Sequence, residues 1–267
     1  QAVNDNGNTY VAYCWKANGG TTSSNTDGSI TSTVQANTKA GFSIVTYTGV
    51  SGGGSWGHGL TQEPEYIIFK RYTSSQNWFV FVKINNVWHY IEGLNTTAAA
   101  VDYSSNMSGS STTITLPNLA EFNNDTGSNY IAYCFNSVDS FSKFGSYTGN
   151  GSAAGPIVET GFEPAFLMIK NASISTAGSY WAIYDNKRTP SNPRDTILQA
   201  NSNSADFDAD SLDINFLSNG FQVTGTYDAV NGNGNTFIYI AFASDPTAAP
   251  VLADSFNTTT YTGSPLG

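Results

Sequence analysis

Apolar residues in this chain fall into short runs separated by polar punctuation. Tyr10-Val11-Ala12-Tyr13-Cys14-Trp15, Tyr66-Ile67-Ile68-Phe69, Trp78-Phe79-Val80-Phe81, Phe166-Leu167-Met168-Ile169 and Phe237-Ile238-Tyr239-Ile240-Ala241-Phe242 are rich in β-branched and aromatic side chains and are bounded by Gly, Asn, Ser or Pro. Asn150-Gly151 and Asn231-Gly232 supply residues that tolerate tight turns. No stretch keeps a helical period for three turns, so helix is expected to be minor. Many short strands need facing sheets to bury their apolar sides, and the pattern predicts an all-β chain of antiparallel sandwiches.

The runs also repeat. Phe42 to Gly49 returns as Phe144 to Gly149, both ending Tyr-Thr-Gly, and Glu63-Pro64 before an apolar strand ending at Lys70 returns as Glu163-Pro164 before one ending at Lys170. A Trp strand follows in each copy, at Trp78 and Trp181, and both indoles are expected to be buried in the core. A closing strand occurs three times, at residues 9–15, 129–135 and 236–242, and Tyr261-Thr262-Gly263 echoes the opening strands. This order predicts two complete modules, 40–137 and 138–245. Residues 1–39 hold the closing strand of a preceding module and a linker, and 246–267 a linker with the opening strand of a further one. Residues 8–16 are expected to pair in a sheet with a neighbouring copy or with a stretch of the parent polypeptide outside this sequence, because an unpaired apolar strand promotes association. With Gln at position 1, the sequence reads as a processed product or a window of a longer polypeptide.

Composition narrows the function. Charged residues are 11% of the chain and aromatics 13%, so the surface is polar but nearly uncharged while a core is plentiful. A net charge of −10 without a basic stripe argues against nucleic acid as a partner. Without a run of 18 apolar residues, no membrane insertion is expected. Cys14 and Cys134 stand at one position of the repeated strand, which predicts equal depth as small buried hydrophobes and no mutual disulfide.

Gly161-Phe162-Glu163-Pro164, then Trp181-Ala182-Ile183-Tyr184-Asp185-Asn186-Lys187-Arg188, Ser218-Asn219-Gly220-Phe221 and the final apolar strand resemble repeat modules of tail-fibre-like virion proteins of marine bacteriophages. The resemblance spans both modules and is closer in the second. In the first, Lys83 to His89 replaces the Tyr-Asp-Asn-Lys-Arg turn. It implies concanavalin-type, lectin-like jelly rolls and a structural virion protein of the tail-fibre or appendage type. The location implied is virion or extracellular, and the partners are other copies, other virion proteins and host-surface glycans. Other readings are a secreted carbohydrate-binding module of a larger cell-surface protein, and a ligand-free capsid decoration or filament subunit.

Chemistry-bearing residues are sparse, and no enzyme is expected. His58 and His89 share no metal-ligand spacing, there is no Gly-x-Ser-x-Gly elbow, and Glu63 and Glu163 read as turn residues before Pro. Asp206, Asp208 and Asp210 alternate as Ca²⁺ ligands do, although on a strand they would only solvate one face. No other cofactor is implied. Trp56 and His58, in a glycine-rich stretch, could form a sugar platform, or Trp56 could fold back as a lid. Tyr184, Asp185 and Asn186 end the second Trp strand and could bind a sugar or form a turn.

Overall fold

The computed structural model describes residues 5–123, 125–176, 178–243 and 256–263. They form twenty-two strands. In chain order these are β1 (Thr9–Trp15), β2 (Ser23–Asn25), β3 (Ser32–Asn37), β4 (Phe42–Thr48), β5 (Ser55–Gly57), β6 (Tyr66–Arg71), β7 (Phe79–Ile84), β8 (Val87–Ile91), β9 (Val101–Asp102), β10 (Ser108–Gly109), β11 (Thr113–Thr115) and β12 (Asn129–Phe135). The second half continues with β13 (Ser142–Thr148), β14 (Ile157–Glu159), β15 (Pro164–Asn171), β16 (Trp181–Asp185), β17 (Thr196–Gln199), β18 (Phe207–Asp208), β19 (Ile214–Leu217), β20 (Gly220–Val223), β21 (Thr236–Ala243) and β22 (Phe256–Thr262). A 3-10 turn at Asp210–Leu212 and one helical turn, α1 (Asp228–Asn231), are the helical pieces.

Each module is an antiparallel sandwich of one large and one small sheet. In the first, β2-β3-β4-β12-β6-β7-β8-β9 faces β10-β11-β5; in the second, β13-β21-β15-β16-β17-β18 faces β19-β20-β14. The small sheets share one strand order, and the large sheets share the succession opening strand, closing strand, Glu-Pro strand, Trp strand. Residues 23–37, outside the repeat, add β2 and β3 beside β4. Between the sheets lie separate cores, Val45, Phe69, Phe81 and Ala132 in the first and Leu167, Ile169, Tyr184 and Phe221 in the second. Burying a side chain of this size stabilises the fold by about 1.5–3 kcal/mol.

A third core joins the modules. Phe42, Tyr66 and Phe135 from the outer face of the first large sheet pack with Phe144, Phe166, Ile240 and Phe242 from the outer face of the second. The closing strands β12 and β21 are therefore covered on both faces, which is why residues 237–242 are apolar without alternation.

The N-terminal strand is paired as expected, but its partner lies within the chain, β1 against β22, which corrects the expectation of a neighbouring copy or an outside stretch. The pairing copies the register of the modules. Thr9 faces Thr262 and Tyr10 faces Tyr261, as Asn129 faces Thr48 and Tyr130 faces Tyr47, and as Thr236 faces Thr148 and Phe237 faces Tyr147. The backbone closes alike at all three ends. Gly49, Gly149 and Gly263 donate their N–H to the carbonyls of Ser128, Asn235 and Asn8 at 2.8, 2.9 and 2.9 Å. Gly127, Gly234 and Gly7 return the bond from left-handed conformations with φ of 84°, 75° and 83°. Facing rings stack in each pair, Tyr47 on Tyr130 at 5.1 Å, Tyr147 on Phe237 at 4.9 Å and Tyr10 on Tyr261 at 5.1 Å.

Candidate functional site at the meeting of three strand pairs

The residues singled out by sequence are mostly structural. Trp56 is not an indole on a flexible loop. It lies in β5 with no exposed surface, stacked 5.5 Å from Tyr47, which corrects the platform expectation and agrees with the lid. The glycines around it answer to close approach, since a Cβ on Gly57 would lie 1.6 Å from the Asn25 side chain. His58 is also buried. Its Nδ1 accepts the Leu60 N–H at 3.2 Å and its Nε2 lies 3.2 Å from the Ser110 carbonyl, and burial pushes its pKa below the usual value. In the second module Thr160 holds the same place and accepts the Phe162 N–H.

Tyr184 is buried with its hydroxyl donating to the Leu212 carbonyl. Asp185, equally buried, accepts the N–H groups of Lys187 and Arg188, the Arg188 Nε and the Tyr13 hydroxyl at 2.7–2.9 Å. Burial pushes its carboxyl up, but the N–H and guanidinium of Arg188 outweigh this and hold it below the ordinary carboxylate range. This set is a turn that anchors β1, and Asn186 beside it is half-buried. Asp206, Asp208 and Asp210 are exposed, and Asp206 lies 3.6 Å from Arg188. Among the described residues no group of three His, Cys, Asp or Glu is placed to hold a metal ion. Glu63 bonds the Trp88 indole and Lys83, and Glu163 faces Arg194 at 4.0 Å.

Cys14 departs from its expected depth. Cys134 is buried beneath a small sheet, whereas Cys14 is exposed, and among the described residues no small sheet covers that face of β1. Trp181 is buried as expected, but Trp78 is only half-buried, with the Lys70 ammonium 5.3 Å from its ring.

The feature that stands out lies where the outer faces meet. Trp15, Phe135 and Phe242 occupy one position of the three closing strands. Their ring centroids are 6.2 Å (Trp15 to Phe135), 5.6 Å (Trp15 to Phe242) and 6.4 Å (Phe135 to Phe242) apart, with interplanar angles of 71°, 62° and 67°. Equivalent residues of the three closing strands thus meet at near-equal distances and angles, an approximately threefold arrangement of the strand pairs. Beside the axis opens a cleft of about 550 Å³. Tyr13, Tyr133 and Ile240, another equivalent set, line it together with Ile44, Ile68, Trp78 and Met168. Its walls are almost wholly apolar, with Asn95 as a polar exception, so it suits apolar side chains.

Sequence reasoning assigned Trp78 to a core and left Tyr13, Tyr133 and Ile240 without a role. The available signal was the closing strand itself, apolar at successive positions and so unsuited to a sheet with one wet face.

No curated protein and no solved structure resembles the chain closely enough to count as a match. Residues 1–246 match the family described as a domain of unknown function, DUF7483. Two sandwiches, their shared core and the strand β1 all fall within the matched residues, and the chain belongs to this family.

Proposed function

We propose that the chain is a structural element of an extracellular assembly, a virion appendage of the tail-fibre type, and does no chemistry of its own. The observation that carries this reading is the β1–β22 pair, which reproduces the opening and closing strands of a module and holds them against the axis formed by two complete ones. A protein built to be joined to more of its kind has use for such a pair; a self-contained catalyst has none. The predicted sugar-binding residues supply no support for glycan recognition, because Trp56, His58, Tyr184 and Asp185 are buried. The assembly role is therefore the reading we favour over a carbohydrate-binding module.

Gold-labelled antibody raised against residues 40–245 tests it by electron tomography of purified particles. Label along an appendage is the expected result. A chain found only in infected-cell lysate and never on particles would overturn the reading.

A further inference from the structure

We infer that β1 and the cleft beside it are the receiving site for a third module of this family, which enters by adding its Glu-Pro strand to the outer edge of β1. The inference concerns the strand that completes the β1 sheet and holds whether or not the assembly is a virion appendage.

Two independent observations lead to it. The first is the edge. In both complete modules the closing strand lies between an opening strand and a Glu-Pro strand, β12 between β4 and β6 and β21 between β13 and β15. β1 has the opening-type strand β22 on one side and, among the described residues, no strand on the other. Backbone groups along a strand face its two neighbours alternately. Because Gly263 N–H bonds the Asn8 carbonyl, even-numbered residues of β1 face β22, and the N–H groups of Val11 and Tyr13 face the outer edge. The corresponding groups of β12 meet the Glu-Pro side, where Glu65 N–H bonds the Phe135 carbonyl.

The second is the unequal cover of equivalent residues. A segment of the first module lies over the second. Its Gly93 carbonyl accepts the Trp181 indole N–H at 3.3 Å, its Thr97 carbonyl accepts from Lys170 at 3.3 Å, and its Ala100 N–H bonds the Ala172 carbonyl at 2.8 Å. Tyr66 likewise stacks 6.0 Å from Phe144. Rotation about the threefold axis would bring a third module over the first, onto Lys70, Trp78 and Ile44. Those residues are half-buried where Lys170, Trp181 and Phe144 are buried, and Trp78 and Ile44 line the cleft. The incoming strand must match its counterparts. It carries an aromatic and an aliphatic residue two apart on the axis side, as Tyr66 and Ile68 or Phe166 and Met168 do, and a Lys two further on.

The test adds a synthetic peptide of residues 161–172, bearing a lysine tail for solubility, to the full chain and follows binding by calorimetry and hydrogen exchange. Saturable binding of one peptide per chain is expected, with a Kd on the order of micromolar. The amides of Val11 and Tyr13 should slow by about tenfold or more, while those of Ala12 and Cys14, already facing β22, should not change. Val11→Pro removes one outward N–H and keeps the bonds to β22, so it should weaken binding by roughly tenfold. A peptide with Asp in place of Phe166 and Met168 should not bind. Absence of saturable binding, or binding without protection of Val11 and Tyr13, would overturn the inference. So would protection of those amides in the chain alone accompanied by dimerisation, which would place a second copy at the edge. The exchange experiment on the unaltered chain decides the matter even where Val11→Pro fails to fold.

Discussion

Cys14 and Cys134 follow the same Ala-Tyr pair, in strands of the same register against their opening partners, yet one thiol is open to solvent and the other is sealed. The difference lies in what surrounds each strand. β12 has neighbours on both edges, a small sheet over one face and the second module over the other; among the described residues, β1 has one neighbour and one covered face. A strand's local sequence therefore settles its pairing and handedness, while its burial depends on elements far away in the chain.

Thiol labelling should give the widest contrast. Cys14 should react with a maleimide in the native protein while Cys134, whose thiol is pushed up by burial, waits for global opening, slower by about a thousandfold or more. Comparable rates would show that Cys134 is reached without global opening. In urea unfolding, Tyr130→Ala should cost about 3 to 5 kcal/mol, as for other large buried aromatics. The matching Tyr10→Ala should cost about 1 kcal/mol, since its ring is half-buried on Tyr261. Equal costs would mean that β1 is as integral as a module strand.

Lys70 and Lys170 extend the contrast to charge. Lys170 has no exposed surface, and burial pushes its pKa down to about 7. Between that value and the ordinary lysine pKa the unfolded chain holds a proton that the folded one does not. Stability should therefore rise with pH across that window and stay at its low level below it. The rise should be on the order of a few kcal/mol and should vanish in Lys170→Met, with pH-dependent urea melts as the measurement. The smallest effect belongs to His58 and its counterpart Thr160. With the His58 pKa lowered by burial, stability should fall as pH drops through the range where the unfolded imidazole takes up a proton and the folded one does not. His58→Thr should flatten that loss while keeping the bond to Leu60 N–H.

The strands and their order were legible because aromatic and β-branched runs between Gly and Asn have few other ways to bury themselves. Even the three-residue Tyr-Thr-Gly echo at 261–263 was informative, since the same two glycine bonds recur there. The site was less so. A glycine-rich stretch around Trp56 reads as a flexible loop when the glycines answer to tertiary crowding by Asn25, and that crowding comes from β2, a strand outside the repeat. The apolar cleft was hidden for a related reason. Its residues look like ordinary core in each strand, and only their convergence from three strand pairs makes a cleft.

The way β1 meets β22 also sets how the molecule carries load. Thr9 lies opposite Thr262, so the chain enters and leaves the ribbon at the same end. Tension applied to those two points does not shear seven residue pairs at once; it peels them apart one after another, beginning at Thr9 and Thr262 and reaching Trp15 last. The sequence separation of this pair is roughly threefold that within a module, which adds only about 1 kcal/mol of loop-closure entropy. Low resistance to peeling therefore comes from geometry more than from chain length. Under a pull the ribbon would open as a fuse, leaving the sandwiches folded, and a strand seated along β1 would change the force at which it gives way.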